Sequence, residues 1–201
     1  MTDSRQDFAK HVQEKLGDAV VAVHDSRGEL TLDVRRDRIV EVCRTLHDDS
    51  AFAFEQLMDV CGVDYLDYGR ELPAGPRQGP RFAAVYHLLS LRHNRRLRLR
   101  AYLDGEMPLI ASVTGVWNSA NWYEREAFDL FGIVFEGHPD LRRILTDYGF
   151  IGHPFRKDFP LIGRVEMRYD AEKQRVVYQP VTIDPRVLVQ RVIREEGFAK
   201  G

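Results

Sequence analysis

The stretch RFAAVYHLLSLRHNRRLRLRAYLD, residues 81–104, constrains the fold more than any other part of the sequence. Its first arm is apolar on both faces, while its second arm alternates arginine with leucine or alanine. The pair HN between the arms, His93 and Asn94, predicts a turn. Because side chains alternate between the two faces of a strand, one face of this hairpin is expected to be buried and the other basic and hydrated.

Helical and strand-like patterns flank this hairpin. Apolar residues at spacings of three and four predict helices, and short apolar or alternating runs bounded by turn formers predict strands. The predicted elements are a helix over Ser4–Leu16, a hairpin of AVVAV and ELTLDV around HDSRG, a helix over Ile39–Leu46, a short helix in AFAFEQLMDV at 51–60 and a strand in CGVDYLD at 61–67. The Gly- and Pro-rich stretch at 69–80 predicts a surface loop.

A further helix is predicted in NSANWYEREAFDLFG, residues 118–132. Asn121 and Glu124 stand at capping-box spacing, and Gly132 is placed to end the helix. The apolar stripe of this helix consists of Tyr123, Ala127 and Leu130. Helices before, between and after antiparallel strands predict an α+β fold, a two-layer sandwich in which the helices cover one face of a mostly antiparallel sheet.

The last third of the chain has a different texture. It contains five prolines, and its one clear regular element is a hairpin of RVEMRYD and RVVYQPV around AEKQ. Long irregular segments usually serve a function or lean on another surface. We therefore predict a core domain over 1–132 and an extended C-terminal segment over 133–201 that docks on partner proteins.

Composition excludes several classes of protein. The formal net charge of -2 argues against a general binder of nucleic acid or anionic membranes. The longest apolar run, Phe82–Leu91, is far shorter than the roughly 20 residues of a membrane-spanning helix, so any membrane contact is expected to pass through a partner. Cys43 and Cys61 lack metal-site spacing, and the N-terminal residues lack a cleavage-site pattern, which predicts free thiols in a reducing compartment.

A metal site is the strongest enzymatic interpretation. Glu126 and Asp129 lie three apart on one predicted helix, and His138 and His153 follow, so these four residues could hold zinc or non-haem iron. There is no H-E-x-x-H or E-x-x-H pattern, and each histidine stands between Gly and Pro. The competing interpretation is that the carboxylates pair with neighbouring arginines, because buried charges are usually paired.

The basic arm of the long hairpin allows two further interpretations. It could follow a nucleic-acid backbone, with Tyr102 stacking on a base. Alternatively it is a solvated or partner-facing strand whose charges discourage edge-to-edge pairing. The residues concerned are Arg92, Arg95, Arg96, Arg98 and Arg100. No phosphate-binding glycine loop and no G-x-S-x-G nucleophile motif occurs in the sequence.

The segment from Pro139 to Pro160 is a candidate docking surface. Its prolines restrict the backbone, its arginines and lysine can pair with carboxylates, and Phe155 and Phe159 can serve as apolar anchors. The basic residues are Arg142, Arg143, Arg156 and Lys157. From the residues alone, an ordinary surface loop is an equal alternative.

Residues Tyr123–Asp170 resemble the signature region of a known family, the 30-kilodalton subunit of the proton-pumping NADH:quinone oxidoreductase, respiratory complex I. The features in common are the Glu-Arg-Glu triplet, the acid that follows it, both Gly-His-Pro corners and the Arg-Lys-Asp-Phe-Pro run. The residues that carry the resemblance are Glu124, Arg125, Glu126, Asp129, His138, Arg142, Arg143, His153, Arg156, Lys157 and Asp158.

This resemblance implies a non-catalytic structural subunit of the peripheral arm, with no flavin, metal or iron-sulfur cluster of its own. Those cofactors are expected in partner subunits. The implied neighbours are the large 49-kilodalton quinone-site subunit and the subunit that carries the terminal iron-sulfur cluster, with no nucleic acid. The implied location is peripheral, on the cytoplasmic side of a bacterial membrane. Alternatives are a related hydrogenase or plastid-type complex, or the metal-dependent enzyme described above.

Overall fold

The computed structural model describes residues 3–70 and 75–184. Within these ranges the helices are α1 (Asp3–Leu16), α2 (Ile39–Asp48) and α3 (Ala120–Phe131). The strands are β1 (Val20–Ser26), β2 (Glu29–Val34), β3 (Gln56–Asp64), β4 (Phe82–Ser90), β5 (Arg95–Leu103), β6 (Leu109–Ala111), β7 (Val134–Glu136), β8 (Val165–Asp170) and β9 (Arg175–Pro180).

The chain divides into two compact units at the bond between Phe159 and Pro160. The sequence predicted a boundary after residue 132, but residues 133–159 belong to the first unit. The second unit contains the predicted C-terminal hairpin, now β8 and β9. Of the predicted C-terminal segment, residues 185–201 lie outside the described residues.

The main sheet has five strands in the order β1-β2-β5-β4-β3. Three of its four neighbouring pairs are antiparallel, and β2 and β5 are parallel. The prediction of a mostly antiparallel α+β sheet is therefore confirmed. The arginine-rich strand β5 lies between β2 and β4, so the prediction that its charges protect a sheet edge is wrong.

The helices and one face of this sheet share a single hydrophobic core. Phe8 and Val12 of α1, Val42 of α2 and Ala127 of α3 belong to the same buried cluster as Leu99 of β5. The arginines of β5 alternate with these buried positions and are half-exposed or exposed. Burial of the alternating leucines places one sheet face under the helices, as a two-layer sandwich requires.

The predicted helix at 51–60 is wrong, because this stretch enters the sheet as β3. Its apolar residues imitate helical spacing, since the register of β3 against β4 shifts between Leu57 and Asp59. That irregularity changes the alternation of side chains and moves Val60 to the buried side. Farther along β3, a Cβ on Gly62 would overlap the ring of Phe131, so the glycine allows α3 to lie close to the strand.

Candidate functional site

Asp129, in the last turn of α3, organises the loop that follows it. Its side chain is fully buried and accepts hydrogen bonds from the backbone N–H groups of Ile144, Leu145 and Thr146, at 3.0, 2.8 and 2.8 Å. The Thr146 hydroxyl donates to the same carboxylate, and Arg143 Nη1 donates to it at 2.7 Å. Residues 143–146 are thereby wrapped around one buried negative charge.

These donors determine the ionisation of Asp129. Burial by itself would raise the pKa of this carboxyl, but the hydrogen bonds from Thr146, Arg143 and Leu145 outweigh it and hold the pKa well below its usual range. The carboxylate is therefore charged at neutral pH and already surrounded by donors. Its partners are those of a structural ion pair rather than of a metal ligand.

Two arginines of the family signature hold the backbone of the same loop. Arg125 of α3 is buried and donates from Nε to the carbonyl of Arg142 and from Nη2 to that of Arg143, both at 3.1 Å. Arg143 donates from Nη2 to the carbonyl of Gly152 at 2.9 Å. Guanidinium groups are suited to this work because their donors point in fixed directions.

Both Gly-His-Pro histidines bind the backbone of α3. His138 Nδ1 accepts from the Asp140 N–H and its Nε2 lies 3.0 Å from the Asn121 carbonyl, which indicates a neutral ring with its proton on Nε2. His153 Nδ1 lies 2.9 Å from the Asp129 carbonyl. Burial lowers the pKa of His153 below its ordinary value, so the neutral form is favoured. Each histidine therefore serves as a backbone hydrogen-bonding group.

A second buried carboxylate, Asp64 at the end of β3, anchors residues 157–158. Asp64 accepts from Nε and Nη2 of Arg81, at 2.9 and 2.7 Å, and from the N–H of Lys157 at 2.9 Å. Arg81 also pairs with Asp158 at 2.8 Å. Sequence reasoning missed Asp64, Arg81 and Thr146, since nothing marks an acid at a strand end as the partner of a residue 93 positions away.

Arg156 binds the end of α3. Its Nε donates to the carbonyl of Phe131 at 2.7 Å, and its guanidinium lies 4.8 Å from the centre of the Phe82 ring. Gly132 ends the helix as predicted, in the left-handed conformation with φ of 75°. A Cβ at Gly132 would lie 2.6 Å from Arg156 Nη2, so the glycine leaves room for this contact.

Glu124 has a different role from the one the sequence predicted. No side-chain hydrogen bond caps α3, and Glu124 is fully buried, accepting from the Ser112 hydroxyl at 2.6 Å and the Val113 N–H at 2.7 Å. The capping-box prediction is therefore wrong. Burial raises the pKa of Glu124 to about 7, and these two hydrogen bonds only partly oppose that shift.

The four residues of the predicted metal site are not brought together as ligands. Glu126 is exposed on α3, whereas Asp129, His138 and His153 are bound to the protein's own backbone. Across residues 3–70 and 75–184, no three or more His, Cys, Asp or Glu side chains group as metal ligands would. No helix in the same residues combines the length and apolarity needed to cross a membrane.

Arginines of the predicted nucleic-acid surface are partly used within the sheet. Arg100 pairs with Asp33 of β2 through Nε at 2.7 Å, and Arg98 pairs with Glu29. Arg95 lies over the Phe8 ring, 4.0 Å from its centre. These contacts connect β5 to β2 and α1, which supports the structural alternative for this strand.

The β8–β9 hairpin exposes an apolar surface. Cross-strand partners such as Met167 and Tyr178, or Tyr169 and Val176, share one face of the hairpin. We call this surface the hairpin apolar face; its residues are Val165, Met167, Tyr169, Val176 and Tyr178, and each is between 54% and 62% exposed. Isolated two-stranded hairpins have marginal stability in water, and large exposed apolar patches mark interaction sites.

Side chains that bind their own backbone, together with an exposed apolar face, define a structural and protein-binding subunit. A family model described as "Respiratory-chain NADH dehydrogenase, 30 Kd subunit" matches residues 32–165. Relatives that are C-type subunits of NADH-quinone oxidoreductases agree with that match. The one from Acidithiobacillus ferrooxidans is 57% identical over 197 residues, covering 98% of this chain and 96% of the relative. The one from Ralstonia pickettii is 59% identical over 199 residues, covering 98% of each. The chain belongs to the 30-kilodalton subunit family of the respiratory-chain NADH dehydrogenase.

Two solved structures are similar to the chain. The "Nqo5 of the trypsin-resistant fragment (1-134) in P63 form" is 36% identical, with a TM-score of 0.55, and covers 68% of this chain and 98% of its own. A chain of the archaeal membrane-bound sulfane sulfur reductase has a TM-score of 0.62 over 79% of this chain and 87% of its own. At 22% identity, that second likeness shows the fold alone.

Family membership confirms the interpretation drawn from the signature residues. The chain is a subunit of a complex that catalyses NADH:quinone oxidoreduction, and it is not a free-standing enzyme. The comparisons favour this family over the alternatives of a hydrogenase subunit, a plastid-type subunit or a metal-dependent enzyme.

Proposed function

We propose that the chain is a non-catalytic structural subunit of the peripheral arm of the complex and holds the quinone-reducing part in shape. The 49-kilodalton subunit and the subunit with the terminal iron-sulfur cluster are its neighbours, on the cytoplasmic side of the membrane. Flavin and iron-sulfur clusters reside in those and other subunits. A positional role matters for turnover because small displacements of reacting groups lose much of the rate.

One observation carries this proposal, the hairpin apolar face. Five apolar side chains on two short strands are more than half exposed, and the hairpin belongs to a compact unit separate from the first 159 residues. The solved trypsin-resistant fragment of Nqo5 covers 68% of this chain and so leaves about a third of it without a counterpart. Both facts support a hairpin whose apolar face is completed by a neighbouring subunit.

The signature residues contribute indirectly. Arg125, Asp129, His153 and Arg156 bind the chain's own backbone, so they set the shape of residues 137–159. Lys157 binds Asp64 through its backbone, and its side chain is exposed. We infer that these residues form and support the docking surface and carry out no chemical step.

The test is an affinity purification of the tagged chain from membranes of cells that lack the native copy. Met167→Asp places a charge on the hairpin apolar face, and Arg168→Ser changes the formal charge equally on the opposite face. We expect the wild type and Arg168→Ser to co-purify the large subunit, the cluster subunit and NADH:quinone activity, and Met167→Asp to lose most of them. Equal recovery with both variants would contradict docking through this face.

A further inference from the structure

A cleft of about 290 Å³ opens beside the loop that Asp129 holds. It is lined by residues 142–148 and by Arg125 of α3, so three guanidinium groups reach it, those of Arg125, Arg142 and Arg143. Its position on a loop with several buried hydrogen bonds makes it a preformed site. Preformed sites lose less entropy on binding than flexible ones.

The guanidinium of Arg125 has unused capacity in this cleft. Its Nε and Nη2 bind the two carbonyls of residues 142 and 143, while no hydrogen bond of Nη1 and no ion pair of Arg125 occurs among the described residues. Asp140 acts on Arg125 only at longer range. Charges as buried as Arg125, which is 7% exposed, are normally paired directly. Arg142 adds a second donor group, since it pairs with Asp140 through Nε and its side chain is 53% exposed.

The surroundings of the cleft indicate what kind of anion fits. Asp147 also lines it and limits its positive charge, which favours a single carboxylate over a doubly charged phosphate. Around the same loop, Leu145, Tyr148 and Ile151 are 63%, 89% and 81% exposed. Arginine and tyrosine beside exposed apolar residues are typical of the centres of protein interfaces.

We propose that this cleft receives an aspartate or glutamate side chain of a neighbouring subunit, with apolar residues of that subunit packed on Leu145, Tyr148 and Ile151. The incoming carboxylate accepts hydrogen bonds from Arg125 and Arg142 and supplies the direct counter-charge that Arg125 lacks. This inference rests on the proposed function and adds a docking site of different chemistry from the hairpin apolar face.

The test uses the assembled complex with a photo-crosslinking benzoylphenylalanine in place of Tyr148. After irradiation, mass spectrometry identifies the attached peptide. We expect a peptide of another subunit that carries an Asp or Glu close to the attachment point. The matched control places the same probe at the exposed Arg44 of α2, where we expect no such attachment. Attachment at position 148 only within this chain would overturn the proposal.

A charge exchange completes the test. Arg142→Glu should reduce the amount of assembled complex about tenfold, and replacing the mapped carboxylate by lysine should restore it. Arg44→Glu should assemble normally. Normal assembly of Arg142→Glu would overturn the site while leaving the proposed function intact. If the wild-type chain co-purified with no other subunit, the proposed function would fail first, and this site would fail with it.

Discussion

Residues 137–159 and the β8–β9 hairpin are held in different ways. Residues 137–159 form no helix or strand, yet Asp129 and Asp64 fix their backbone through buried hydrogen bonds. The hairpin is regular, yet the side chains of its apolar face are more than half exposed. Regular backbone pairing therefore does not by itself identify the self-sufficient part of this chain. The buried charges identify it, because they cannot remain buried without their donors.

The largest expected effect comes from Asp129. Asp129→Ala leaves Arg143 without its carboxylate and three N–H groups without their acceptor, so we expect a loss of about 3–5 kcal/mol in the free energy of unfolding. Urea denaturation of the full chain measures this. Asp140→Ala removes a carboxylate that pairs with Arg142 at the surface, and little change is expected. Similar losses in both variants would remove the distinction between buried and exposed carboxylates.

The pH response should separate the two buried acids of α3. The pKa of Asp129 is lowered in the folded state, so its contribution to stability is present at neutral pH and is lost as the pH falls below about 4. The pKa of Glu124 is raised to about 7, so its contribution is present at low pH and is lost as the pH rises toward 7.

Glu124→Gln imitates the protonated acid and tests this sign. Relative to the wild type, we expect the variant to gain stability as the pH rises from about 4.5 to 7.5, by up to about 3 kcal/mol. Thermal unfolding across that pH range measures the difference. A constant difference between the two proteins at every pH would show that Glu124 does not titrate in this interval.

A smaller loss is expected at the end of α3. Gly132→Ala places a side chain at a positive φ of 75° and against Arg156, which should cost about 1–3 kcal/mol. Gly149 lies in the same irregular segment, has no neighbour within 4 Å of an added Cβ and does not require a positive φ. Gly149→Ala should therefore be close to neutral in the same denaturation experiment, and an equal loss there would remove the argument.

The smallest effect on the isolated chain is expected from the hairpin. Met167→Asp should change the free energy of unfolding by no more than about 0.5 kcal/mol, because Met167 is 59% exposed. Denaturation of the purified full chain checks this value. A large destabilisation would mean that the hairpin apolar face already packs within the chain, and the comparison with residues 137–159 would lose its basis.

The sequence predicted most of the local structure. Turn formers and alternating residues located the hairpins, and Gly132 marked the end of α3. Local patterns could not reveal that β5 pairs in parallel with β2, since that contact joins residues 67 positions apart. They also gave a false helix at 51–60, where the irregular register of β3 imitates helical spacing.

The site was predicted in part. The signature residues identified the family, but their chemistry was not readable from spacing alone. Asp129 and the two histidines fitted a metal site in the sequence, whereas their partners in the fold are backbone groups and Arg143. Asp64 and Arg81 carried no local signal, because a strand end and a loop meet there only after the chain has folded.

The central claim is that the chain contributes position and not chemistry. The most direct measurement compares the amount of assembled complex with the NADH:quinone turnover of each assembled complex, in membranes carrying Met167→Asp or Arg142→Glu. The account predicts fewer complexes, each with the turnover of the wild type. A normal amount of complex with selectively slow quinone reduction would contradict it and would return the signature residues to the chemistry of the reaction.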